Sequence, residues 1–110
     1  MMDEVLLVFT NLPDRASAQK MAQVLIESRA AACVNILAEC ASVYRWQGKV
    51  ETASEVPLLA KTTRSAYPRL ETTLRAHHPY ELPEIVAVPL AAGFSSYLQW
   101  VAKETGATEE

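Results

Sequence analysis

The sequence predicts an α+β domain: an antiparallel sheet with its main helices on one face, built as a split β-α-β unit. Three observations lead there. β-rich and amphipathic stretches follow one another in the order β-α-β-β-α-β, with one more helix at the end. Gln47-Gly48 joins two long strand-like runs as a tight turn would. The chain has 110 residues, enough for one core but not for a second one, so residues 1–110 are read as a single domain.

Val5 to Phe9 is short, apolar and β-branched, which predicts a buried first strand. Asp14 is placed to cap a helix, its carboxylate accepting from free amides one turn on. Ala18, Met21, Ala22, Leu25 and Ile26 then recur at three- and four-residue spacing, with Gln19, Lys20, Gln23 and Glu27 opposite them. That predicts an amphipathic helix over 15–29. Cys33 to Leu37 and Ser42 to Trp46 form a second strand with a kink near 38–41, and Lys49 to Thr63 returns as a third. Pro57 lies inside the returning strand; having no amide to donate, it must meet a bulge or an unpaired edge. Ala66 to His77 is a second amphipathic helix, with Leu70 and Leu74 as its apolar pair. Glu84 to Leu90 is a fourth strand ended by Gly93. Ser95 to Glu104 is a third helix, and Gly106 to Glu110 is a polar tail expected to fray. This order is the ferredoxin-like arrangement. The hairpin is longer than so small a domain can use, and bare strand edges invite pairing. A homo-oligomer with joined hairpins is expected.

Composition narrows the function classes. Ten Lys and Arg are scattered among thirteen Asp and Glu, for a net charge of −3, so no basic cluster offers itself to nucleic acid. Asp3 and Glu4 stand where a secretory leader would be basic, and no apolar stretch is long enough to span a bilayer. The expected location is the cytoplasm, with no membrane partner. Cys33 and Cys40 match neither a C-x-x-C nor a zinc spacing, and in one extended strand they would lie about 23 Å apart. They are expected to be reduced, partly buried thiols. No G-x-S-x-G, H-E-x-x-H or dinucleotide fingerprint is present, so no enzyme activity is expected.

Four groups of residues could carry chemistry. His77 and His78 are possible ligands for copper, zinc or nickel, but adjacent side chains diverge, so they would need Glu81, Glu84 or a residue of another subunit. As helix-terminal residues they would instead face the free carbonyls. Tyr80, Glu81 and Glu84 sit on a loop stiffened by Pro79 and Pro83: a binding wall, or a loop pinned by Glu81 or Glu84 pairing with Lys61 or Arg64. Tyr44 and Trp46 near the hairpin tip, with Trp100, either line a pocket or bury area between subunits. Lys61 beside Thr62 could hold a small anion without being a P-loop.

AACVNI (31–36), SVYRWQGKV (42–50), the run from Glu55 through LLAKT, and HPYELPEI with PLAAG and YLQW downstream occur together and in order. The sequence thereby resembles the CutA family of divalent-cation tolerance proteins over nearly its whole length. The resemblance implies a homotrimer of ferredoxin-like subunits related in architecture to PII-type signalling proteins. It also implies a cytoplasmic role in copper tolerance and no enzymatic reaction. For the family it implies copper binding through paired histidines, here His77 and His78, and a cysteine late in the first strand. Phe9 stands at that cysteine position, and a phenyl ring cannot ligate a metal.

Two functions are therefore expected to compete. One is a metal-responsive trimer that holds copper or another divalent metal weakly through His77, His78 and Glu81. The other is a PII-like sensor or scaffold with clefts between subunits lined by Lys61, Tyr80, Glu84 and Trp100, and with Tyr44 and Trp46 at the interface.

Overall fold

The structure, a computed structural model, describes residues 3–106. Strand β1 (Val5–Leu12) leads through helix α1 (Arg15–Glu27) to β2 (Cys33–Ile36) and β3 (Cys40–Trp46). Strand β4 (Lys49–Thr63), helix α2 (Tyr67–His77), strand β5 (Val86–Pro89) and helix α3 (Ser95–Glu104) follow. Every strand pairing is antiparallel, in the order β2-β4-β1-β5, and β3 continues along β4 beyond β2. The predicted α+β class and element order hold. The expected polar tail lies outside the described residues beyond Gly106.

Alternation decides which face of the sheet is core. Val8 and Leu12 of β1 and Val56, Leu58 and Ala60 of β4 point one way. There they meet Ala18, Met21 and Leu25 of α1 and Leu70 and Leu74 of α2. Asp14 caps α1 by accepting from the Ser17 amide at 2.7 Å. The helix stops two residues short of the predicted end because Arg29 adopts φ 61°. The Arg29 and Ala30 amides then close on the carbonyls of Ile26 and Leu25, the glycine-type helix ending built here on arginine.

The opposite face is open. Register places Leu7 and Phe9 of β1 beside Leu59 of β4 and Val86 and Val88 of β5. The two valines are 50% and 45% exposed, so this apolar face is only partly covered.

The long arm also forms as predicted. Gln47 (φ 51°) and Gly48 (φ 81°) make the two-residue turn, both in the left-handed region that such a turn requires. From Glu55 outward, β3 and β4 pair only with each other, and Val43 and Val50 stand 68% and 66% exposed.

Pro57 meets a bulge, and that bulge lies on the partner strand. Ile36 faces Leu58 and Cys40 faces Glu55, so three residues span a stretch where β4 has two. The Pro57 carbonyl accepts from the Leu37 amide at 3.0 Å. Within a strand a residue's carbonyl and nitrogen point to the same side. The missing donor therefore faces the interruption between β2 and β3, where no ladder bond is lost.

Candidate functional site: an acidic, aromatic cleft under the β-arm

The segment after α2 is fixed by its histidines. His77 ends α2, and its Nδ1–H donates to the Thr73 carbonyl one turn back at 2.9 Å. That leaves its Nε2 free to accept. His78 is extended, φ −79° and ψ 137°, as its place before Pro79 requires. The Tyr80 amide donates to His78 Nδ1 at 3.2 Å. Nε2 therefore carries the proton and donates to the Asn11 carbonyl at 2.8 Å. Both nitrogens of His78 are thus engaged. Burial pushes its pKa down, opposed by the Asn11 carbonyl and the charge of Glu55.

Asn11 holds the loop a second time, its amide Nδ2 donating to Glu84 Oε1 at 2.8 Å. Tyr80 packs at a tilt against His78, with ring centroids 4.8 Å apart. Its hydroxyl lies beside the Glu55 carboxylate, and burial together with that carboxylate drives its pKa far upward.

Together these groups wall an open cleft of about 800 Å³ between the arm and the 79–84 loop. Tyr44 and Trp46 enter from the arm, Tyr80, Glu81 and Glu84 from the loop, and Glu55 from β4. Three carboxylates face one guanidinium there, that of Arg45. No three His, Cys, Asp or Glu side chains gather to hold a metal ion among the described residues.

The predicted site residues are divided by the fold. Glu81 lines this cleft, whereas His77 lines a smaller hollow of about 320 Å³ beside Lys20 on α1. The fold of the chain does not bring His77, His78 and Glu81 together around a common point. Tyr80 and Glu84 share the cleft, but Lys61 and Trp100 are absent from its lining. Lys61 sits opposite Cys33 and donates to Asn35 Oδ1. Trp100 packs on Tyr97 of α3, with ring centroids 5.5 Å apart. The expected pairing of Glu81 or Glu84 with Lys61 or Arg64 is corrected as well. Arg64 pairs with Glu4 at 2.7 Å, and Glu84 takes Asn11. Cys33 is half-buried but Cys40 is exposed, since it lies on the arm beyond the core. Register sets them six positions apart along β4, about 20 Å.

Asn11 and Glu55 carry the site, and neither is among the site residues that the sequence suggests; Glu55 enters there only at the head of a family-like run. Asn11 lies in a stretch that reads as a loop before a helix cap. Glu55 is one acid among many on a long strand.

The match to the family model of the CutA1 divalent ion tolerance protein covers residues 6–104. The chain belongs to the CutA1 family. A relative from Thermus thermophilus, "Divalent-cation tolerance protein CutA", is 47% identical over 105 residues, spanning 96% of this chain and 100% of its own. The crystal structure of CutA1 from Oryza sativa superposes with a TM-score of 0.93 at 34% identity, covering 97% of this chain and 98% of that one. The family is named for tolerance and not for a reaction.

Location varies among relatives. A protein from Arabidopsis thaliana, 37% identical, is called chloroplastic; its match covers 91% of this chain, and the chain spans about half (55%) of that relative's length. The solved CutA from Archaeoglobus fulgidus, 29% identical with a TM-score of 0.89 over 93% of this chain and 99% of its own, is called periplasmic. No helix among the described residues is long and apolar enough to cross a membrane.

Proposed function

We propose that the chain acts in the cytoplasm as a non-enzymatic, single-domain homotrimer of ferredoxin-like subunits in tolerance of divalent cations, copper among them. The observation that carries this reading is the β-arm. A lone two-stranded ribbon is marginal in water, and this one exposes Val43 and Val50 with Tyr44 and Trp46 nearby. Neighbouring arms would give it edges to pair with. The open face around Phe9, Val86 and Val88 would be covered in the same step. The family's name supplies the link to divalent cations, and the bare edges of the arm are what favour closure among three copies.

Within that assembly His77 is the better metal contact of the histidine pair. Its Nδ1–H is held by a backbone carbonyl, which orients Nε2 outward as in many metal-bound histidines. A single imidazole holds copper or zinc only weakly, and a group from a neighbouring subunit would complete the shell. Sedimentation at micromolar concentration tests the assembly; a folded lone subunit would sink it. Copper titration by calorimetry, beside His77→Ala, tests the contact. Superimposable isotherms would remove the imidazole from the account.

The cleft supports a second reading, a PII-like ligand sensor or scaffold. Three aromatic rings beside carboxylates, in a volume within the usual range for ligand sites, are what favour it.

A further inference from the structure

Glu55 is 9% exposed, and its carboxylate lies beside the Tyr80 hydroxyl. The ion pair found among the described residues, Arg64 with Glu4, lies elsewhere. A buried carboxylate with a hydroxyl but no cationic side chain beside it attracts a cation that can enter next to it. Glu55 lines the cleft, so a cation can reach it from solvent.

The surroundings select the kind of cation. Along the arm Cys40 faces Glu55, Tyr44 faces Glu51 and Trp46 faces Lys49. Even spacing puts Tyr44 and Trp46 on the same side of the ribbon as Glu55. Tyr80 closes the space from the loop. Aromatic faces attract ammonium groups and bury the carbon attached to them. A bare metal ion would want three or more converging ligands, which the described residues do not supply. An anion would meet Glu55, Glu81 and Glu84 against Arg45 alone.

We propose that the cleft binds small organic cations: an alkylammonium whose charged head rests between Glu55 and the ring of Tyr80, its carbon skeleton lying along Tyr44 and Trp46. This inference rests on the second reading above, that the cleft is a ligand site. It names the ligand class.

Calorimetric titration of the full chain at neutral pH tests it, with 2-phenylethylamine, 1,5-diaminopentane and choline as probes and 3-phenylpropionate as the anionic match. At least one amine is expected to bind saturably, and the carboxylate is not. Glu55→Gln, nearly isosteric, is expected to weaken the amine at least about tenfold. Trp46→Ala, out on the arm, is expected to weaken it about threefold or more while the fold is intact by circular dichroism. No saturation by any amine at about 10 mM would overturn the inference, as would unchanged affinity in Glu55→Gln. Binding of 3-phenylpropionate in place of the amines would preserve a ligand cleft and overturn the cationic assignment. Sedimentation of the same samples separates these outcomes from failure of the trimer.

Discussion

The imidazole of His78 donates through Nε2 to the backbone carbonyl of Asn11 at 2.8 Å, across 67 positions of sequence. The bond ties the loop after α2 to the end of β1, and in the neutral ring Nδ1 accepts in turn from the Tyr80 amide. Protonating Nδ1 breaks that second contact. Because burial holds the folded pKa below the ordinary 6.5, the unfolded chain takes up the proton first on acidification. The contribution is therefore full above about pH 6.5 and drains as pH falls below it. Urea denaturation of the metal-free protein at about pH 7.5 and pH 5.5 should show lower stability in acid. In His78→Gln that difference should shrink.

Arg29 combines a strained backbone with useful contacts. Its guanidinium donates to the Gly106 and Lys103 carbonyls at the end of α3, at 3.3 and 3.4 Å. Arg69 of α2 in turn donates to the carbonyls of Arg29 and Thr105, at 2.8 and 3.0 Å. Arg29→Ala and Arg29→Gly lose the same guanidinium, but only alanine keeps the left-handed strain. The glycine variant should be the more stable of the two by about 1 kcal/mol in urea melts. Arg69→Ala should cost about 1–3 kcal/mol, since it unties the ends of α1 and α3 from α2 at once.

Thr10 is 3% exposed, and its hydroxyl oxygen has no hydrogen-bond partner. A buried hydroxyl without a partner has given up its water for nothing. Valine keeps the shape and the β-branch. Thr10→Val should raise the denaturation midpoint, by about 1 kcal/mol in stability.

The turn of the arm can be tuned without touching anything. A Cβ at Gly48 would meet no atom within 4 Å, so the cost of a side chain there is purely one of backbone. Gly48→Val should destabilise the turn by about 1–2 kcal/mol. Gln47→Asn, better suited to φ 51°, should improve it by a few tenths of a kcal/mol. In a trimer joined through its arms, both changes should appear as shifts in the concentration dependence of sedimentation.

Val43→Lys with Val50→Glu should leave the subunit core intact, because both side chains are exposed and far from it. If the arms pair between subunits, circular dichroism should stay unchanged while the sedimentation coefficient falls. An unaltered coefficient would locate the contact elsewhere, on the face that carries Val86 and Val88.

Order and type of the elements were legible because period-two and period-3.6 patterns are local. The ends were less so. The first strand reads as Val5 to Phe9, yet β1 runs on to Leu12 because β4 offers partners as far as Val56. Glu84 and Ile85 read as strand, yet β5 begins at Val86, after Glu84 has been taken by Asn11. Tyr80, Glu81 and Glu84 were legible as a group because two prolines hold them close in sequence. Their meeting with Glu55, Tyr44 and Trp46 depends on how the arm leans over the loop, and no local pattern encodes that. The separation of His77 from Glu81 follows from the break at Pro79, which sends the chain from one side of the α2 terminus to the other.

Pro57 gives the arm a property of its own. Where β2 gives way to β3, the amide of Leu37 is the one ladder donor across the gap, and the proline nitrogen offers none in return. On the side of β2 and β3 the ribbon is held less closely at that point than on the side of β1, where Asn11 and Leu12 pair with Pro57 and Val56. The arm is thus paired evenly along its length and least tightly at its root, so in an assembly joined through the arms it is at the root that a mismatch in the angle between bodies would be taken up.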